Sequence, residues 1–142
     1  MGNKTFAMIK PDAVASGKLG KVIDATLLAG FSIKGGRLTL ITRAQAEEFY
    51  AVHRERPFYG ELVDFMSSGP TFVMALEKDN AVQAWRDTIG ATDPAEAAEG
   101  TIRKMYAENK GRNAVHGSDS DENAEKEIAF FFSGAEIIAS NL

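Results

Sequence analysis

The chain contains no cysteine. That absence removes disulfides, thiolate catalysis and cysteine-based metal centres together. Histidine is almost as scarce: His53 and His116 are the two, far apart in sequence, so an imidazole zinc site has little support. No apolar run approaches the roughly 20 residues of a membrane span, and the N-terminal residues lack the apolar core of a signal peptide. A soluble, cytoplasmic protein without a membrane partner is the expectation. Positive charge is also in deficit. Lys and Arg number 16 against 20 Asp and Glu, a net −4 at neutral pH, so no general basic field draws in nucleic acid. A polyanionic small molecule would therefore need local cations or a metal. The spacing G-x-x-x-x-G-K-[ST] is missing as well, and Gly17-Lys18-Leu19-Gly20-Lys21 only imitates a phosphate-binding loop.

What is present suits a folded domain. The 142 residues, 44% hydrophobic with nine phenylalanines, fit one domain spanning 1–142 with a real core. Thr5 to Ile9 reads as a buried strand stopped by Pro11, with Lys10 delivered at its end. A helix is expected over 22–29, closed by Gly30. A second strand runs from Phe31 to Ile41, its Gly35-Gly36 suggesting a bulge. Thr42 then caps a helix carrying Ala46, Phe49, Tyr50 and His53 on one side, where His53 suits an edge or core role better than catalysis. Leu62, Val63, Phe65 and Met66 have helical spacing. Thr71 to Leu76 is the clearest strand, and 80–87 is helical. Gly90 to Gly100 reads as a loop with one short helix, and Gly100 to Arg112 as a long exposed basic connection. A last strand at Ala114-Val115 and a helix to Phe132 complete the chain. The order fits a ferredoxin-like α/β sandwich, βαββαβ with a mainly antiparallel four-stranded sheet and helices on one face. The pattern also admits a doubly wound sheet.

The stretch with the most chemistry is Asn113-Ala114-Val115-His116-Gly117-Ser118-Asp119-Ser120. Glycine after His116 allows another group close to the backbone. Ser118, Asp119 and Ser120 are good N-cap types, which would put the imidazole near a helix N-terminus favourable to phosphate. A near-neutral imidazole beside an anion site is a credible phosphate-accepting nucleophile. A structural histidine at a strand end is the plainer reading.

This octapeptide resembles the active-site signature of the nucleoside diphosphate kinases. Ile9-Lys10-Pro11-Asp12, Phe49-Tyr50, Arg56-Pro57-Phe58, Ser68-Gly69-Pro70, Gly90-Ala91-Thr92-Asp93-Pro94 and Gly100-Thr101-Ile102-Arg103 follow in the family's order. The resemblance implies the ferredoxin-like fold and ping-pong transfer of a γ-phosphate from an NTP to an NDP through a phosphohistidine on His116. It implies phosphate contacts from Lys10, Arg86 and Arg103, a hydroxyl from Thr92, sugar contacts from Asn113, and a base held by Phe58 with Leu62. Arginine's planar fork suits phosphate oxygens, and lysine acts as a point charge. Stacking without a reader of base edges predicts breadth among bases, so ATP, ADP, GDP and deoxynucleotides are all expected partners.

Glu127 lies between Ala124 and Phe131 on the last helix, a mostly apolar row where an unpaired carboxylate is costly. The resemblance implies that it orients the His116 imidazole, with Ser118 assisting and Tyr50 and Lys10 steadying the site. It also implies phosphorylation at Nδ1. Asp119-x-Asp121-x-Asn123 imitates a calcium loop, but Ala124 and Phe130 replace the required glycine and glutamate. Mg2+ is expected to arrive with the nucleotide, and Asp119 is the best protein-side contact, through water. Lys110 stands at an often apolar position beside the base, where its aliphatic stem can still pack. Glu99 stands where many eukaryotic members have proline. The family assembles from dimers, and the short tail after Ile137-Ile138 favours a tetramer over a hexamer. A protein-directed phosphohistidine carrier is the alternative function; nucleic-acid binding through the basic 100–112 segment is the weakest.

Overall fold

The computed structural model describes residues 2–139. Strand β1 (Lys4–Ile9) is its axis. Phe6, Ala7, Met8 and Ile9 are all fully buried, as a strand covered on both faces requires. It pairs antiparallel with β3 (Thr71–Glu77), from Lys4 opposite Glu77 to Ile9 opposite Phe72. On its other side lies the short strand β4 (Val115–Gly117), where His116 is the partner of Met8. Strand β2 (Ser32–Thr39) closes the far side, giving the order β2-β3-β1-β4 with every ladder antiparallel. That is the ferredoxin-like arrangement, and it removes the doubly wound alternative.

Seven α-helices among the described residues surround the sheet: α1 (Pro11–Ala15), α2 (Leu19–Leu28), α3 (Arg43–Phe49), α4 (Tyr59–Met66), α5 (Ala81–Ile89), α6 (Ile102–Tyr106) and α7 (Asp121–Phe131). They cover both faces rather than one. Ala7, Ile9, Met74 and Leu76 pack with Val22 of α2 and Trp85 of α5. Phe6, Met8, Val73 and Ala75 pack with Ala46 of α3, Val63 of α4 and Phe131 of α7. The reason is in the strands: successive residues of β1 and β3 point to opposite faces and both sets are apolar. No helix among the described residues is long and apolar enough to cross a membrane.

Local chemistry explains most element ends. Thr42 and Gln45 form a capping box at the start of α3, and the β2 bulge falls between Ile33 and Gly35. Gly30, at φ +93°, ends α2 in the left-handed conformation. Three expectations need correction. Pro11 does not merely stop β1; it opens α1 from the first helical position, where its missing N–H costs nothing. Residues 90–100 hold no helix. The short helix is α6, inside the supposed exposed connection, because Thr101 caps it and buried Arg103 anchors it. Finally, β4 includes His116, so the imidazole stands on the sheet and not at a helix start.

Gly117 shows how tightly β4 is seated. A Cβ there would lie 2.7 Å from Trp85 Cδ1, while Trp85 Nε1 donates to the His116 carbonyl at 3.1 Å. The group that approaches beside this glycine is thus the indole. Gly117→Ala is expected to lower unfolding free energy by about 1–3 kcal/mol, read from the midpoint of chemical denaturation; wild-type stability would show that the indole moves aside freely.

Candidate active site

His116 projects from β4 toward α7, and the two elements meet through one carboxylate. His116 Nε2 lies 3.0 Å from Glu127 Oε1, and Ser118 Oγ donates to the same oxygen at 2.8 Å. An ionised carboxylate only accepts, so Nε2 must carry the proton. In the neutral ring Nδ1 then holds the lone pair, and it has no hydrogen-bond partner among the described residues. Phe6 and Phe49 flank the imidazole edge-on at 6.0 and 5.7 Å between ring centroids. The ring is therefore held by hydrogen bond and packing, with one nitrogen left over. Helix α7 does not supply the anion site. It starts at Asp121, its Ser120 cap binds the Asn123 N–H, and Asp121 and Glu122 occupy its first turn.

Cations gather in a hollow that His116 also lines. A cleft of ≈ 510 Å³ is lined by Arg86, Thr92, Arg103, Thr101, Gly90 and His116, among others. Arg86 is exposed on α5 and without a hydrogen-bond or ion-pair partner among the described residues. Arg103 differs: it is 8% exposed and donates to the carbonyls of Asn113, Gly90 and Val115 at 3.3, 3.0 and 2.8 Å. Those bonds take three of the five guanidinium N–H groups and leave two for a ligand. Burial, and after it the nearby Arg86, push the Arg103 guanidinium down to about 10, so it stays charged at neutral pH.

Thr92 also lines a second cleft of ≈ 640 Å³, with Lys10, Phe58, Leu62, Phe65, Lys110, Arg112 and Asn113. Phe58 is 46% exposed there, so it is not a core residue. Lys10 sits at the end of β1, donating from Nζ to Asn113 Oδ1 at 2.9 Å. Burial, and then Arg103, lower its ammonium to about 8, against an opposing pull from Asp12. The supposedly awkward Lys110 joins the rim of this cleft, with Arg112 lying over the Phe65 ring. Glu99 lines none of the three clefts described here.

The third hollow, ≈ 380 Å³, lies against α7 and includes Tyr50, His53, Asp119, Glu127 and again His116. Tyr50 is 8% exposed, its hydroxyl has no partner among the described residues, and burial followed by Glu127 pushes its phenol well above the usual range. It stays protonated. Asp119 accepts from Asn123 Nδ2 at 2.6 Å and is exposed in this hollow, apart from Arg86 and Arg103. No cluster of three or more His, Asp or Glu that could hold a metal occurs among the described residues.

The expected residues other than Ser118 thus line three hollows, with His116 shared between two and Thr92 between two, while Ser118 is buried behind Glu127. The sequence family model of nucleoside diphosphate kinases matches residues 3–137. The chain belongs to the nucleoside diphosphate kinase family. A nucleoside diphosphate kinase of Chlorobium luteolum is 59% identical over 138 residues, covering 97% of this chain and 99% of that one. One of Flavobacterium psychrophilum is 60% identical over 134 residues, covering 94% and 96%. Among solved structures, the Aquifex aeolicus nucleoside diphosphate kinase superposes with TM-score 0.94 at 47% identity, over 96% of this chain and 99% of that one. The Halobacterium salinarum enzyme, solved in complex with CDP, gives 0.93 at 38% identity over 100% and 95%.

As a family member the chain carries two residues at this site that sequence reasoning did not single out, Asp12 and Trp85. Asp12 was visible only as the last letter of a matched motif; Trp85 gave no signal beyond being the single tryptophan.

Lys10 makes the site's stability depend on pH. Its ammonium is near 10.5 unfolded and about 8 folded, so between those values the unfolded chain binds more protons and folding strengthens as pH rises. The burial cost is fully present below about 8. Lys10→Met is accordingly expected to stabilise the fold near neutrality by about 1–3 kcal/mol, an advantage that shrinks through this window in melts run at several pH values. A constant difference would contradict the buried charge.

Proposed function

We propose that the protein is a nucleoside-diphosphate kinase that carries the γ-phosphate of an NTP to an NDP on His116. The observation that carries this reading is the imidazole fixed through Nε2 by Glu127, with Nδ1 unpaired among the described residues and the ring lining the Arg86–Arg103 cleft. The Nδ1 lone pair attacks the γ-phosphorus as the bond to the bridging oxygen breaks, and that electron pair leaves on the departing NDP. The phosphorylated ring is cationic and keeps its Nε2 proton, so Glu127 faces a positive charge that develops during the step. A second NDP then attacks the phosphorus, and the ring is released neutral.

The other residues fall into place around this step. Arg86, Arg103 and Lys10 offer charge to the phosphate oxygens, and Thr92, bordering both clefts, offers its hydroxyl to the same chain of phosphates. Asn113 holds the sugar hydroxyls. Exposed Phe58 stacks on the base with Leu62 opposite. Tyr50, buried beside Glu127 with its phenol protonated, steadies the site. Mg2+ neutralises phosphate charge when it arrives with the nucleotide. The scattered carboxylates suit at most a water-mediated contact from Asp119. We place the reaction in the cytoplasm, with residues 1–142 acting as one domain and free NTPs, NDPs and their deoxy forms as partners. Edge strand β2 and the end of α2 expose Leu38, Leu27 and Leu28 by 53, 51 and 80%, apolar surface suited to a homodimer and, through it, a tetramer.

The test is transfer from ATP to a different NDP with Mg2+, comparing wild type with His116→Ala and Glu127→Gln. Ping-pong turnover is expected in wild type, none in His116→Ala, and a kcat loss on the order of 100-fold or more in Glu127→Gln. Equal turnover by His116→Ala would remove the nucleophile from the account. With Lys10 required as a cation, kcat/KM is expected to fall as pH rises through about 8; a flat profile to pH 9 would contradict that requirement.

A further inference from the structure

Asn113 and His116 are separated by Ala114 and Val115, and the backbone between them is strained. Ala114 has φ +72°, a region that a residue with a Cβ rarely adopts. Val115 N–H donates to the Asn113 carbonyl at 2.8 Å, so the three residues form a γ-turn of the rare, strained sense. Both backbone groups of Ala114 are held from one place. Its carbonyl accepts from the Lys10 N–H at 2.8 Å, and its N–H donates to Asp12 Oδ2 at 3.0 Å. The turn is pinned to the junction of β1 and α1.

Asp12 is a poor choice if stability alone is at stake. It is 6% exposed, and its second oxygen, Oδ1, is buried without a hydrogen-bond partner among the described residues. A buried carboxylate with an unsatisfied oxygen costs free energy that a neutral residue would avoid. Strain held in place at such a cost is characteristic of functional sites.

Resting on the kinase reading above, we propose that Asp12 is a positioning residue: its carboxylate clamps the strained turn at Ala114 and so sets the register between nucleotide-holding Asn113 and the nucleophile His116. The clamp acts on both ends at once. Asn113 Oδ1 receives Lys10 Nζ, the Asn113 and Val115 carbonyls receive Arg103, and His116 follows directly in β4. Relaxing Ala114 to negative φ would rotate these acceptors away from both cations.

Wild type must first show phosphotransfer and His116 phosphorylation; failure there sinks the kinase reading, not the clamp. Given that activity, Asp12→Ala is expected to lower kcat/KM on the order of 10- to 100-fold in protein that is fully folded by circular dichroism at the assay temperature. Asp12→Asn keeps an acceptor oxygen and should recover much of this loss. The double variant Asp12→Ala with Ala114→Gly should also recover activity over Asp12→Ala, because glycine adopts positive φ without strain. A general loss of stability would predict the opposite, since glycine loosens the chain further. A second readout is the Ala114 amide, whose hydrogen-exchange protection should drop in Asp12→Ala and largely return in Asp12→Asn. Wild-type kcat/KM in folded Asp12→Ala, or no recovery from either the asparagine or the glycine, would overturn the proposal.

Discussion

One carboxylate oxygen organises the candidate active site of this molecule. Glu127 Oε1 receives both the His116 ring and the Ser118 hydroxyl, tying β4 and the turn after it to the middle of α7. Much else serves that junction. Phe131, one turn beyond Glu127, is buried and stacks on Phe6 of β1 at 5.4 Å, with rings 5° from parallel. Phe49 of α3 closes the same cluster. The apolar packing fixes the distance between sheet and helix, so the polar contact does not have to find its geometry during reaction. Behind β4, Trp85 grips the His116 carbonyl. The imidazole is thus constrained from three elements, and its Nδ1 is left without a partner among the described residues.

The second constraint is charge. A chain of net −4 gathers three local cations at the candidate site and holds them in different ways. Arg86 is exposed and free to move. Arg103 is buried and oriented by three backbone carbonyls. Lys10 is buried on one amide oxygen, with its ammonium weakened to about 8. Such buried cations cost folding free energy, and under the proposed function a bound phosphate relieves that cost.

The sequence made the histidine at the centre of the candidate site, the strand that carries Lys10 and the antiparallel class legible, because each rests on local pattern or on a motif. Thr71 to Leu76 and Thr5 to Ile9 are nearly unbroken apolar runs, and their reading as buried strands holds. The same runs implied two covered faces; the single-face expectation failed by weighing helix count instead of strand burial. The exposed basic connection failed for a different reason. Arg103 looks like surface charge in one dimension, and only the carbonyls of Gly90, Asn113 and Val115, brought together by the fold, make it a buried anchor. Ser118 to Ser120 did signal a helix start, but not that the helix would meet His116 through its middle. Asp12 was hidden because a clamp on a γ-turn a hundred residues away leaves no local trace.

The most direct measurement is the position of the phosphate on the protein. Wild type is loaded with ATP, freed of nucleotide, and its phosphohistidine examined by phosphorus NMR under denaturing alkaline conditions that separate the two ring isomers, before and after a chase with GDP. The account predicts one phosphate on Nδ1 of His116, discharged completely to GTP. Phosphate on Nε2 would contradict the role given to Glu127, and an intermediate that GDP does not discharge would contradict the transfer itself.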